Sequence, residues 1–163
     1  MNRKTVIFTL LAVLWCGFIF FLSSENSEQS SQRSDGIIRT VCETFNSDFK
    51  DYSPQRQDEI ISDLSFWVRK GAHFSAYAVL GALAFQAFCF MKKKLLRSTA
   101  AVGAACLYAV SDEIHQSFSP GRSAELRDIL IDTCGAAIAV CISLLVIRLI
   151  DRKRSTKAGT VSA

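Results

Sequence analysis

The sequence predicts an all-α protein, a bundle of four transmembrane helices with short amphipathic helices in the first extracytoplasmic loop. Half of its 163 residues are hydrophobic, and they fall in long unbroken runs instead of recurring with helix or strand period. Clusters of Lys and Arg bound these runs, all on one side of the predicted bundle. The length suits one domain, so we expect a single integral membrane domain over residues 1–163.

The predicted spans cover residues 5–23, 68–91, 95–117 and 126–150, with an outer loop over 24–67 and a cytoplasmic tail over 151–163. The first span also resembles a secretory signal peptide, because Arg3 and Lys4 precede an apolar run. That run is long for a signal peptide, however, and the Ser-Ser-Glu-Asn stretch after it is a poor cleavage site. We therefore expect an uncleaved first helix.

The predicted outer loop has two parts. Residues 24–35 are rich in Ser, Glu and Gln, which is typical of a flexible loop. Apolar residues then recur at helical spacing over 37–45 and predict an amphipathic helix. Ser53-Pro54 is typical of a helix start, with Ser as the N-cap and Pro in the first turn.

The third span is short of uncharged residues. Only about 13 uncharged residues run from Ser98 to Val110, which gives roughly 20 Å of helix. A bilayer core of about 30 Å requires more. We therefore expect this helix to carry four polar residues into the outer part of the membrane: Asp112, Glu113, His115 and Gln116.

The basic clusters lie at residues 3–4, 92–97 and 148–157. The positive-inside rule makes their side cytoplasmic, so both termini are expected in the cytoplasm of a bacterial-type cell membrane. The net charge of +4 is modest, and no basic stretch is interleaved with aromatic residues. Nucleic acid is therefore not an expected partner.

The six cysteines show no CxxC spacing that would indicate a zinc or redox site. Five lie in the apolar runs, where we expect small buried hydrophobic residues; these are Cys16, Cys89, Cys106, Cys134 and Cys141. Only Cys42 lies in the polar loop. We expect all six to be inert packing residues.

Ionisable residues inside a bilayer usually mark function, and here they converge at the outer ends of the second to fourth spans. Spacing places Lys70, His73 and Tyr77 on one face of the second span. A face of the third span is expected to hold Tyr108, Ser111, Asp112 and His115. On the fourth span Glu125, Asp128 and Asp132 stack, with Gly135 one turn further on for close helix contact. Between these two spans, a Ser-Pro-Gly turn presents Arg122.

The roles of these residues have alternatives. His73 is either a catalytic residue or a polar link between helices. His115, beside Asp112 and Glu113, is typical of an acid or base oriented by a carboxylate, although a capping cluster would look the same.

The acidic pair on the fourth span also has two interpretations. Asp128 and Asp132 can hold a divalent cation over a diphosphate or neutralise nearby cations. These cations are Lys70, Arg122 and Arg127, and we favour ion pairs because they lie at the same depth. Arg122 can bind a phosphate bidentately or pair with a carboxylate.

Several motifs resemble those of the VanZ-like membrane proteins. The first is Phe-Leu-Ser-Ser at 21–24, and the second is Arg-Lys-Gly-Ala-His-Phe-Ser-Ala-Tyr at 69–77, followed by Leu-Gly at 80–81. The most specific is Ser-Asp-Glu-Ile-His-Gln at 111–116 with Pro-Gly-Arg at 120–122, followed by Asp128 and Asp132. The resemblance covers nearly all of the chain up to Arg152 and departs at Cys134, where such proteins commonly carry Asn.

The resemblance implies a cell-envelope role, because the family is named for a protein associated with low-level resistance to the glycopeptide teicoplanin. We expect the protein to recognise or modify a membrane lipid or lipid-linked cell-wall precursor at the outer face. The expected catalytic residues are His73, Asp112, Glu113 and His115. The expected substrate-binding residues are Lys70, Tyr77, Ser111, Gln116, Arg122, Asp128 and Asp132.

The sequence identifies neither a cofactor nor a metal, and it does not decide whether the protein is an enzyme. The main alternative is a non-enzymatic accessory protein whose charged cluster is an ionic lock that holds a surface for a protein partner. A small transporter or flippase subunit is a third possibility. It is weakened because Gln86 is nearly alone among polar residues towards the cytoplasmic ends of the second to fourth spans.

Overall fold

The computed structural model describes residues 3–161, without the side chains of residue 154 and residues 156–161. These residues form five α-helices and no strand, which confirms the all-α prediction. The helices are α1 Arg3–Ser23, α2 Ser27–Phe45, α3 Pro54–Ala87, α4 Lys94–Gln116 and α5 Leu126–Val161. Two short 3-10 helices, Ser47–Asp51 and Phe88–Phe90, follow α2 and α3.

Helix α3 is the centre of the bundle. It packs against α1, α4 and α5, and its N-terminal part carries α2. The main core joins α1, α3, α4 and α5 through Ile19, Leu80, Ala109 and Ala136. A polar contact also ties α1 to α3, since the Trp15 indole N–H donates to the Ala76 carbonyl at 2.8 Å.

Small residues allow the backbones of α3 and α5 to approach closely. A Cβ added to Gly81 would lie 2.6 Å from the Ala136 carbonyl oxygen, and one added to Gly135 would overlap the Phe74 carbonyl oxygen. Small residues also allow close contact between α4 and α5, because Ala101, Ala105 and Ala109 of α4 recur every fourth residue and are fully buried. The close contact expected at Gly135 is therefore present.

Three helices are long and apolar enough to cross a membrane: Arg3–Ser23, Pro54–Phe90 and Leu126–Lys153. Their outer surfaces expose large apolar side chains such as Leu14, Phe21 and Ile142, which suits contact with lipid tails. Helix α4 is not among the three because its uncharged segment is short. A crossing by α4 stays a prediction.

One expectation for the outer loop is corrected and another is confirmed. Residues 24–35 are not a flexible loop, because α2 begins at Ser27. Asn26 accepts the Gln29 backbone N–H while the Gln29 side chain accepts the Asn26 N–H, so a capping box starts the helix. The expected start at Ser53-Pro54 is confirmed, with Ser53 as N-cap. That helix then continues without a break to Ala87, so the second span is the C-terminal part of a 34-residue helix.

The cysteines are free thiols, but the expectation that five are buried is wrong. Cys134 and Cys141 are exposed on the surface of α5, and the other four are half-buried. Helical phase explains the difference, because apolar residues on a membrane helix face lipid as readily as they face the bundle. The last helix also extends past residue 150 to Val161, while residues 162–163 of the expected tail lie outside the described residues.

Candidate functional site

The polar residues gather at one end of the bundle, which we call the polar end. Here α1 and α4 finish, α5 begins, and the middle of α3 passes beneath the start of α2. The turn between α4 and α5 is tight because Gly121 has a φ of +76°, a conformation that favours glycine. The Pro120 carbonyl of this turn accepts the Ser27 backbone N–H at 3.4 Å, which places the turn over α2.

Three helices bring His73, Asp112 and Asp132 together at the polar end. The His73 Nδ1 atom lies 3.8 Å from Oδ2 of Asp132. One ligand-type atom from each of the three side chains lies within 4.8 Å of the others. Asp112 is 3% exposed and Asp132 is 1% exposed, whereas His73 is only partly buried. These three side chains are the centre of the candidate site.

The Asp112 carboxylate is held by three donors that all reach the same oxygen. Oδ2 accepts from the Ser23 hydroxyl at 3.0 Å, the Tyr77 hydroxyl at 3.2 Å and the Gln116 amide at 3.2 Å. Oδ1 has no hydrogen-bond partner among the described residues. The donors therefore hold the carboxylate in place through Oδ2 and leave Oδ1 without a hydrogen bond.

Two further carboxylates at the polar end are already engaged. Asp128 forms an ion pair with Lys70 across α3 and α5. The buried Glu113 accepts the backbone N–H of Glu125 at 2.9 Å, just before α5 begins. A carboxylate at a helix N-terminus is stabilised by the helix dipole, so Glu113 fixes the junction between α4 and α5.

Two adjoining cavities open at the polar end. The first, of about 180 Å³, lies between α1, α2 and α3 and has an apolar wall. The second, of about 230 Å³, lies between α3, the start of α5 and the turn before it, and is mainly polar. The apolar wall consists of Ile19, Leu22, Ile37, Val68, Ala72 and Ala76. Both cavities are lined by Ser30, Arg69, His73 and Arg122.

The two arginines in this shared lining have no carboxylate partner among the described residues. Arg69 donates to the Ser31 hydroxyl at 2.7 Å, and no side-chain hydrogen bond or ion pair holds the described Arg122 guanidinium. Burial lowers the pKa of Arg122, Asp112 raises it, and the neighbouring Arg69 lowers it again. Two guanidinium groups that repel each other beside an apolar cavity form a natural site for an anion.

Comparison with known proteins supports the resemblance seen in the motifs. A family model described as VanZ/LLP1 matches residues 8–148, which is most of the chain. The chain belongs to the VanZ/LLP1 family. No curated protein and no solved structure gives a significant match. With its long apolar helices, the chain is a VanZ-like membrane protein.

The matched segment of this VanZ/LLP1 protein contains every predicted site residue, but the fold divides them. Lys70, His73, Gln116, Arg122 and Asp128 line the polar cavity. Tyr77, Asp112 and Asp132 are buried directly behind it.

The remaining predicted residues lie apart from the polar cavity. Ser111 is exposed and donates to the Tyr108 carbonyl of its own helix. The His115 ring stacks on Phe20 and lies 3.3 Å from the Ser24 hydroxyl. His115 therefore faces the end of α1, while Glu113 lies at the junction with α5.

Two residues that the geometry brings to the site, Ser23 and Arg69, are not among the predicted site residues. Ser23 is 2% exposed and donates to Asp112; its place in the Phe-Leu-Ser-Ser motif was the available signal. Arg69 is the first residue of the Arg-Lys-Gly-Ala-His motif and lies beside Lys70 at the start of the second span. An arginine at the edge of an apolar segment is also a common membrane anchor, so its place in that motif is the one signal that distinguishes it.

Proposed function

We propose that this protein binds an anionic cell-envelope lipid or lipid-linked precursor at the outer face of a bacterial-type cell membrane and thereby affects sensitivity to glycopeptides such as teicoplanin. One observation carries the proposal. Arg69 and Arg122, without carboxylate partners in the described part of the chain, line both an apolar and a polar cavity. An amphiphile has the matching chemistry, with its phosphate on the arginines and its chain against the apolar wall.

The partners of the three cations indicate which of them would bind the head group. Lys70 already pairs with Asp128, so Arg69 and Arg122 are the primary ligands of the head group. Arginine suits this task because its planar guanidinium binds phosphate oxygens in a bidentate manner. The positive-inside rule puts the polar end outside, with both termini in the cytoplasm.

The experiment is mass spectrometry of lipids that copurify with the protein in mild detergent. We expect enrichment of an anionic phospholipid or polyprenyl phosphate over the host membrane. In the Arg69→Gln Arg122→Gln variant the enrichment should fall at least about tenfold, because each charge-assisted hydrogen bond contributes about 1.5–3 kcal/mol. Arg148→Gln, at the other end of α5, is the matched control and should keep it. Equal enrichment in all three proteins would refute the proposal.

The second candidate function is a non-enzymatic accessory protein whose charged cluster holds a surface for a protein partner. The ion pair between Lys70 and Asp128 favours it, because it joins α3 to α5 at the polar end. This candidate expects no specific lipid after gentle extraction. It also expects the Arg69→Gln Arg122→Gln variant to match the wild type in lipid content.

A further inference from the structure

We propose that His73, Asp112 and Asp132 form a binding site for one divalent transition-metal ion, Zn²⁺ or Mn²⁺. The site joins α3, α4 and α5 at the polar end. It differs from the cation site considered for Asp128 and Asp132, because Lys70 already engages the Asp128 carboxylate.

The first reason is that the two aspartates are buried without sufficient partners. Both oxygens of Asp132 and Oδ1 of Asp112 have no hydrogen-bond partner among the described residues. Burying an ionised carboxylate is costly unless it is paired or coordinates a metal. A single divalent cation between the two carboxylates would neutralise both charges. It would bind at least one unpartnered oxygen of each aspartate.

The second reason is distance. Metal ligands lie about 2.0–2.2 Å from a zinc ion, so two atoms bound to the same ion are roughly 3–4 Å apart. His73 Nδ1 and Asp132 Oδ2 are separated by 3.8 Å, which is too long for a hydrogen bond and suitable for a shared ion. A carboxylate oxygen of Asp112 lies within 4.8 Å of the ligand atoms of both other residues. Small side-chain rotations would bring all three atoms within binding distance of one ion.

The third reason is the support around Asp112. Metal-binding side chains are normally oriented by hydrogen bonds from a surrounding layer of residues. Ser23, Tyr77 and Gln116 provide that layer, since all three donate to Oδ2 and leave Oδ1 for the ion. If Asp112 only joined helices, its hydrogen bonds would be expected to use both oxygens.

The donor set selects the kind of metal. An imidazole suits Zn²⁺ and other first-row transition metals, while carboxylates also suit Mn²⁺. Three protein ligands leave at least one coordination position open. His73 lines both cavities, so the open position is accessible from them. If the proposed function is correct, on which this last step rests, a head-group oxygen next to Arg122 can occupy that position.

The test measures metal content and affinity in the full-length protein. The protein is stripped with a chelator, reloaded with Zn²⁺ or Mn²⁺, and analysed by elemental mass spectrometry and by competition with a metal indicator. We expect one ion per chain. His73→Gln and Asp132→Asn should reduce the bound ion to about a tenth or less, because each removes a ligand.

Glu113→Gln is the matched control, because Glu113 is equally buried and adjoins Asp112 but lies outside the triad. Its amide oxygen can still accept the Glu125 N–H, so the control should bind one ion. Tyr77→Phe keeps all three ligands and removes one donor to Asp112. It should weaken metal affinity by about 10–100-fold even if the ligand variants fail to fold.

Three outcomes would overturn the proposal: less than a tenth of an ion per wild-type chain with both metals, unchanged binding in folded ligand variants, or unchanged affinity in Tyr77→Phe. The metal experiment and the lipid experiment can fail independently of each other. One ion per chain without lipid enrichment would keep the metal site and refute the proposed function. Lipid enrichment without a bound ion would do the reverse.

Discussion

Lys70 and Asp128 form an ion pair between α3 and α5, with 19% and 20% of their side chains exposed. Replacing one member of such a pair and replacing both members affect stability differently. Removing one partner leaves an uncompensated charge, whereas replacing both by apolar residues of similar size is often neutral or stabilising. A structural role and a role in ligand binding therefore predict different results for single and double variants.

We expect Lys70→Met to lower the free energy of unfolding by up to about 3–5 kcal/mol, because Asp128 stays without its partner. Lys70→Met with Asp128→Leu should restore the wild-type level of folded protein. The measurement is the fraction of protein that survives stepwise heating in detergent, detected by size-exclusion chromatography. Lipid enrichment in the double variant should fall less than in the Arg69→Gln Arg122→Gln variant. A double variant as unstable as the single one would contradict this account.

The spacing of residues predicted part of the site. His73 and Tyr77 lie on one face of α3 and contact two neighbouring carboxylates, His73 that of Asp132 and Tyr77 that of Asp112. The spacing could not separate Asp112 from His115 on α4. They are three positions apart and share a flank, but only tertiary packing decides that His115 stacks on Phe20 of α1.

At the scale of elements, helix capping explains why the start of α3 could be predicted and why the helix that begins within residues 24–35 was missed. Ser53-Pro54 starts α3 because the serine caps a backbone N–H and the proline fits the first turn. Composition misled at residues 24–35, since a polar stretch can be a solvent-facing helix. The capping box of Asn26 and Gln29 was the signal that contradicted the loop.

Glycine positions in the helices give a prediction about packing. Gly135→Ala should destabilise the bundle by about 1–3 kcal/mol, because the new methyl group would overlap the Phe74 carbonyl and force α3 and α5 apart. Gly103→Ala is the control, since a Cβ there meets nothing within 4 Å. It should be neutral or slightly stabilising, as alanine is the better helix former. Unfolding in a detergent titration measures both. Equal stability of the two variants would show that the close contact is absent.

At the scale of the whole molecule, packing and orientation have different origins. The bundle is held by small residues and apolar contacts along α3, which would be the same whichever way the protein crossed the membrane. Orientation depends on Lys and Arg near the helix ends. If α4 crosses the membrane as we predict, the length of its uncharged part sets how deeply Asp112 and Glu113 lie, because the helix then carries them toward the interface. The location of the site in the cell therefore depends on charge and not on the fold.

Labelling of single cysteines tests this orientation. In a background from which the six native cysteines have been removed, Ser123→Cys should react with a membrane-impermeant maleimide in intact cells, because Ser123 is exposed in the turn at the polar end. Lys93→Cys is also exposed, next to the start of α4, and should react only after the membrane is permeabilised. The reason is that Lys92, Lys93 and Lys94 form a basic cluster, which favours the cytoplasmic side. The reverse pattern would place the arginines and the triad in the cytoplasm, and would rule out a lipid head group of the outer leaflet as their ligand.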